Sequence, residues 1–127
     1  MKLLPTQIDD ASLTSLGEEA RTLLLERDYV GLANSFGYAL AYGRTPAAAI
    51  EADFISAAKS PITVGTDGCL LHPITVTYFS PNDTALFAVV NCPVPVAGNS
   101  VVLLELVVAG SDQEKNITLE EISGVTN

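Results

Sequence analysis

The sequence predicts an α+β domain in which three N-terminal helices pack on one face of a four- to five-stranded antiparallel sheet. Apolar residues recur at steps of three and four positions as far as Lys59, which is typical of helices. From Ile62 onward they alternate with polar residues, which is typical of strands. Helices followed by strands joined through short turns favour the α+β class. Residues 1–127 are expected to form one domain.

The first two helices are expected to begin at acidic caps. Asp9 or Asp10 can accept hydrogen bonds from the free N–H groups of the first turn, and Asp28 can do the same for the second helix. The second helix is predicted to continue to Gly43, which suits the left-handed conformation that ends many helices. The apolar stripe of the first helix comprises Leu13, Leu16, Ala20, Leu23 and Leu24.

The third helix carries the strongest local signal in the chain. Thr45 is a good N-cap residue, and Pro46 suits the first helical position because its missing N–H would have no helical partner there. Ile50 and Phe54 then fall on one face, and Pro61 ends the helix.

Four strands follow. Residues 74–79 alternate, and the turn at 80–84 is predicted to return the chain antiparallel through 85–91. Pro93 and Pro95 cannot donate ladder hydrogen bonds, so residues 92–96 are expected to form a frayed end or an edge. Residues 100–109 are apolar on both faces, which predicts a central strand, and 117–122 supply a last strand.

The charge is strongly acidic, with 15 Asp and Glu against 6 Lys and Arg and a net charge of −9. Because Lys115 is the single cation after residue 60, we expect neither nucleic-acid binding nor attachment to an anionic membrane. The N-terminal residues carry no export signal, which predicts a cytoplasmic protein. The acidic surface favours either a basic protein partner or solubility alone.

Five residues are candidates for a ligand pocket: Glu105, His72, Tyr38, Tyr42 and Arg44. Glu105 interrupts an apolar strand, so it either faces solvent or sits in a cavity with a raised pKa. The tyrosines are either core residues whose hydroxyls reach water or backbone, or part of a pocket roof. Arg44 either lies on the surface at a helix end or contacts an anionic group.

Cys69, His72 and Cys92 are the only soft metal ligands in the chain. A structural zinc site needs four ligands, so we expect no metal and no other cofactor. A hairpin centred on 80–84 places His72 opposite Cys92, with Cys69 roughly 10 Å farther along. That is too far for a disulfide unless Pro73 or Pro93 shifts the register. A cysteine–histidine nucleophile would need an orienting group that the sequence does not indicate. Two buried thiols and a strand histidine are the preferred interpretation.

The order of elements, helices through Phe54 and then strands at Ile74, Ala85, Ser100 and Ile117, resembles the nuclear transport factor 2-like superfamily, whose fold is also described as cystatin-like. This resemblance implies a cavity between helix and sheet that binds a small molecule, or a dimerisation module. The enzymes of that superfamily use an acid and a histidine, and no residue here matches a catalytic position of the family.

We therefore expect a non-enzymatic, acidic binding or interaction protein that self-associates as a homodimer, in one version as an inhibitor or immunity-type partner of a basic protein. The competing interpretation is a small-molecule binder or an acid–base enzyme of the nuclear transport factor 2-like type, with Glu105, His72 and a tyrosine in the cavity. A structural module without any ligand is a third.

Overall fold

The structure, a computed structural model, describes residues 2–59, 73–80, 85–96, 100–110 and 114–124. Over these residues it has three α-helices followed by most of a five-stranded antiparallel sheet with strand order β1-β5-β4-β3-β2, which confirms the predicted class. The elements in chain order are β1 (Lys2–Leu3), a 3-10 turn (Pro5–Gln7), α1 (Asp10–Leu25), α2 (Tyr29–Phe36), a second 3-10 turn (Ala39–Ala41), α3 (Pro46–Lys59), β2 (Thr75–Tyr78), β3 (Leu86–Val96), β4 (Ser100–Gly110) and β5 (Lys115–Gly124).

Helices α1 and α3 follow the predicted apolar stripes. In α1 the stripe buries Leu13, Ala20 and Leu24 completely. In α3 the buried face includes Ala49 and Ile50. Both helices face the sheet, where α1 contacts β3 and α3 contacts β5 and β4.

The second helix is shorter than predicted. It begins after Asp28, whose side chain accepts a hydrogen bond from the N–H of Gly31, but it ends at Phe36 instead of continuing to Gly43. The reason is Gly37, whose φ of 71° and ψ of −173° no helix can include. The chain then makes the 3-10 turn 39–41 before α3.

The sheet buries one face against the helices. Strand β4 lies between β3 and β5, as its apolar sequence predicted. Its even-numbered residues point into the core and its odd-numbered residues point away, because side chains alternate along a strand. The fully buried residues on this face of β3 and β4 are Ala88, Val90, Cys92, Val94, Val102, Leu104, Leu106 and Val108.

Three strand predictions need correction. For residues 92–96 only the frayed-end alternative is wrong, since β3 stays paired with β4 as far as Val96. The edge alternative agrees with the described part of the sheet, where no residue of β2 pairs with β3 beyond Asn91. Thr75 pairs with Asn91, two residues farther along β3 than predicted. Strand β1 was missed because two residues cannot display an alternating pattern.

Several predictions concern residues outside the described ranges. These are the positions of Cys69 and His72 and most of the turn 80–84. Across the described helices, none combines the length and apolar character that a membrane crossing requires.

Candidate functional site

Tyr38, Arg44 and Asp53 form a polar network between the second 3-10 turn and α3. The hydroxyl of Tyr38 donates to Oδ2 of Asp53 over 2.5 Å. Arg44 approaches the same carboxylate in a forked arrangement, with Nη1 3.2 Å from Oδ1 and Nη2 3.3 Å from Oδ2. The guanidinium also donates to the backbone of the turn, through Nε to the carbonyl of Ala41 (2.9 Å) and Nη2 to that of Leu40 (2.6 Å).

The electrostatics of this network favour a single protonation state. The hydrogen bond from Arg44 is the main cause that lowers the pKa of Asp53. Burial opposes it, and the hydrogen bond from Tyr38 adds a smaller lowering effect. Burial, followed by the hydrogen bond to Asp53, raises the pKa of Tyr38. The phenol therefore stays protonated and the carboxylate ionised around neutral pH. Throughout the described residues, every buried side-chain nitrogen or oxygen has a hydrogen-bond partner.

A shallow groove of about 250 Å³ opens beside this network, between α3 and the end of β5. Asp53 reaches its wall, so the ionised network borders the groove. The hydroxyl-bearing Ser56 and Ser123 and the apolar Ala57 and Ile122 make the lining mixed in character. The lining residues are Asp53, Ser56, Ala57, Ile122, Ser123 and Gly124.

Tyr42 occupies the tip of a tight turn and lies outside the groove lining. Its φ of 48° and ψ of 59° are left-handed, the next residue, Gly43, has a φ of 83°, and the N–H of Arg44 bonds the carbonyl of Ala41 over 3.1 Å. Two central residues with positive φ and this hydrogen bond are typical of a type I′ turn. The Tyr42 side chain is 81% exposed.

Glu105 lies on the face of the sheet turned away from the helices, where it is partly exposed. Of the two alternatives, this position agrees with a side chain that faces solvent and not with one in a cavity under the helices. It pairs across strands with Asn91 on β3 and Glu121 on β5. The register shifts between Glu105 and Leu106, which makes Glu120 the extra residue of a β-bulge. Burial, and then the charges of Glu121 and Glu120, raise the pKa of Glu105.

Comparison of the chain with protein-family models, with curated proteins and with solved structures found no significant match.

The structure thus joins two of the five predicted pocket residues, Tyr38 and Arg44, through a partner that the sequence interpretation did not select. Nothing in the local sequence pattern distinguishes Asp53 from the nearby acidic residue Glu51. Glu105 belongs to a separate acidic cluster on the other face of the sheet, and His72 lies outside the described residues.

The cysteine part of the prediction is addressed only by Cys92, which is a free, buried thiol. The observed register brings Ile74 beside Cys92, and both side chains lie next to Gly17 of α1. The predicted hairpin had instead placed His72 opposite Cys92. Burial raises the pKa of Cys92 to about 12, so the thiol is not activated as a nucleophile. No group of three or more potential metal ligands comes together among the described residues.

Proposed function

We propose that the protein is a non-enzymatic binding protein that covers a basic partner protein, in the manner of an inhibitor or immunity protein, and that also associates with a second copy of itself. The observation that carries the proposal is the cluster Glu105, Glu120 and Glu121. These carboxylates stand on adjacent strands and make no ion pair with a lysine or arginine in the described residues.

Unpaired carboxylates on neighbouring strands repel one another, and this repulsion is largest when the site is partly shielded from water. A lysine or arginine of a partner removes the repulsion on contact, so the cluster favours a cationic surface over a neutral one. The net charge of −9 attracts such a partner at longer range, and added salt weakens that attraction.

The remaining polar network supports binding rather than catalysis. Asp53 is already neutralised by Arg44 and accepts the proton of Tyr38, so no member of the network is poised near neutral pH to exchange protons with a substrate. Glu105 is separated by the sheet from the helix side, where the interior is filled by apolar side chains. A cytoplasmic location remains part of the proposal.

The test compares two triple variants of equal charge. Glu105, Glu120 and Glu121 are changed to Gln in one, and the exposed helix residues Glu18, Glu19 and Glu51 in the other. With cytochrome c as a basic probe protein, calorimetric titration at low salt is expected to show at least tenfold weaker binding for the first variant only. Equal losses in the two variants would show that net charge alone acts and would contradict a defined acidic surface.

A second candidate function is small-molecule binding in the groove beside Asp53. The groove itself favours it, because hydroxyl and apolar groups share its wall. The resemblance to the nuclear transport factor 2-like superfamily implies the same class of activity, although at a cavity between helix and sheet. Thermal-shift screening of a small-molecule library tests it, and hits that survive the Ser56→Trp substitution, which fills the groove, would contradict it.

A further inference from the structure

We infer that two copies of the chain associate reciprocally, the Tyr42 side chain of each copy entering the groove beside Asp53 of the other. This inference rests on the self-association in the proposed function and names the residues that bring it about. Three observations support it: the conformation of Tyr42, the rigidity of the turn that presents it, and the size and lining of the groove.

The first observation is that Tyr42 combines an unfavourable backbone conformation with a side chain that is largely exposed among the described residues. The first central position of a type I′ turn favours Asn, Asp or Gly, since a side chain larger than these is strained at positive φ. A left-handed conformation is unfavourable for an L-residue, because Cβ comes too close to the following carbonyl oxygen. With 81% of its surface exposed, the tyrosine recovers little of that cost by packing within the monomer. Residues that break a local rule in this way concentrate at functional sites.

The second observation is that the turn is held in place. Arg44 bonds the carbonyl groups of Leu40 and Ala41 and is itself anchored to Asp53 on α3. A binding residue presented by a rigid support loses little conformational entropy when a partner engages it. Exposed tyrosines on such supports are frequent anchors of protein interfaces.

The third observation is the fit of the groove. Its volume of about 250 Å³ is below the roughly 300–1,000 Å³ of pockets that enclose drug-sized ligands, and it suits one aromatic side chain. Ala57 and Ile122 offer apolar contacts to an aromatic ring. The hydroxyl groups of Ser56 and Ser123 can form hydrogen bonds with the phenol group of a tyrosine.

A second copy is the occupant because the protruding residue and the groove lie on one surface. Arg44, two residues after Tyr42, bonds Asp53 in the groove wall. A two-fold dimer brings the same surface of both copies together, so each copy supplies one tyrosine and one groove. Arg44 itself remains 43% exposed, so the surface that carries Tyr42 and the groove is open to a second copy.

The test begins with sedimentation of the wild type, Tyr42→Asn and a control, Val30→Asn, which alters another strongly exposed apolar residue. The wild type and the control are expected to dimerise, and Tyr42→Asn to weaken dimerisation at least tenfold. Because Asn suits the turn, the Tyr42→Asn monomer should also unfold at a temperature equal to or above that of the wild type at the same low concentration. A wild type that is monomeric at every concentration would refute self-association altogether. A dimeric Tyr42→Asn variant would refute only the role of Tyr42.

Mixing two variants tests reciprocity. Ser56→Trp fills the groove from an exposed helix position but keeps Tyr42, whereas Tyr42→Asn keeps the groove. A dimer of either variant with itself has no tyrosine inserted in a groove. In the mixed dimer, Tyr42 of the Ser56→Trp chain can enter the open groove of the Tyr42→Asn chain, so one of the two contacts is restored. The mixture is expected to associate about tenfold more tightly than either variant alone. Association no tighter than that of the separate variants would contradict the reciprocal insertion.

Discussion

Gly17 of α1 lies so close to Cys92 of β3 that a Cβ atom at position 17 would come within 2.9 Å of the cysteine Sγ. The same Cβ would lie 3.0 Å from Cγ1 of Val90 and 3.1 Å from Cγ2 of Ile74. A glycine inside a helix costs about 1 kcal/mol relative to alanine. Because Gly17 has no side chain, α1 approaches the sheet closely enough for its apolar stripe to pack against β3.

Replacing Gly17 by valine is therefore expected to lower the free energy of unfolding by about 2–3 kcal/mol, because the added atoms overpack a fully buried contact. Urea unfolding followed by circular dichroism measures the change. The matched control is Ser15→Val, an exposed position on the same helix, which should change stability by only about 0.5 kcal/mol. Equal effects at the two positions would mean that helix propensity, and not the contact with Cys92, decides the outcome.

Cys92 is expected to be unreactive in the folded protein. Its pKa is raised to about 12 by burial, so almost no thiolate forms below pH 9. In a Cys69→Ser background, a disulfide-exchange reagent at pH 8 should modify Cys92 only at the rate of unfolding and immediately in urea. Because the folded-state pKa is raised, the stability that Cys92 contributes is present below about pH 8.5 and declines as the pH rises above it. Fast modification of the folded chain would contradict this placement.

The parts of the fold that the sequence predicts well are those set by local pattern. The cap Thr45-Pro46 marks the start of α3, and the apolar run around Leu104 marks the central strand. The helix break at Gly37 was missed because glycine also occurs inside helices, and only the tertiary structure selects its positive-φ conformation. The β2–β3 register depends on the turn conformation, and Ala85, with a φ of 58°, is a residue from which no positive φ is expected.

The candidate site was only half predictable for a related reason. Tyr38 was a candidate for a pocket roof and Arg44 for contact with an anionic group at a helix end, but their common partner Asp53 is 15 and 9 residues away along the chain. Packing of the 3-10 turn on α3 brings the three together, and no periodicity records such a contact. Likewise, Tyr42-Gly43 lacks the Asn-Gly signature by which a type I′ turn is recognised.

Tyr38→Phe is expected to lower the free energy of unfolding by about 1–2 kcal/mol at pH 7, because it removes a hydrogen bond to an ionised acceptor. The pKa of Asp53 is lowered in the folded state, so the stabilisation of its carboxylate is present above about pH 3.9 and is lost as the pH falls through the folded-state value. Urea unfolding of both proteins at pH 7 and pH 2.5 should show the difference shrinking in acid. Tyr42→Phe is the control, since its hydroxyl lies at an exposed tip, and it should leave stability unchanged.

Glu105 should destabilise the fold at neutral pH, because it faces Glu121 directly and Glu120 lies in the adjacent bulge. Its pKa is raised in the folded state, so the folded chain is most favoured below the unfolded value of about 4.3 and loses stability as the pH rises through the folded-state pKa. Glu105→Gln is therefore expected to be more stable than the wild type by about 0.5–1 kcal/mol at pH 7 and equal to it near pH 3.5. Thermal unfolding across this range measures both values, with Glu18→Gln as an exposed control whose difference from the wild type stays small throughout. A Glu105→Gln variant that is less stable than the wild type at pH 7 would show that the carboxylate has a favourable partner in the folded chain. The acidic cluster would then not be an unpaired surface that binds the cations of a partner protein.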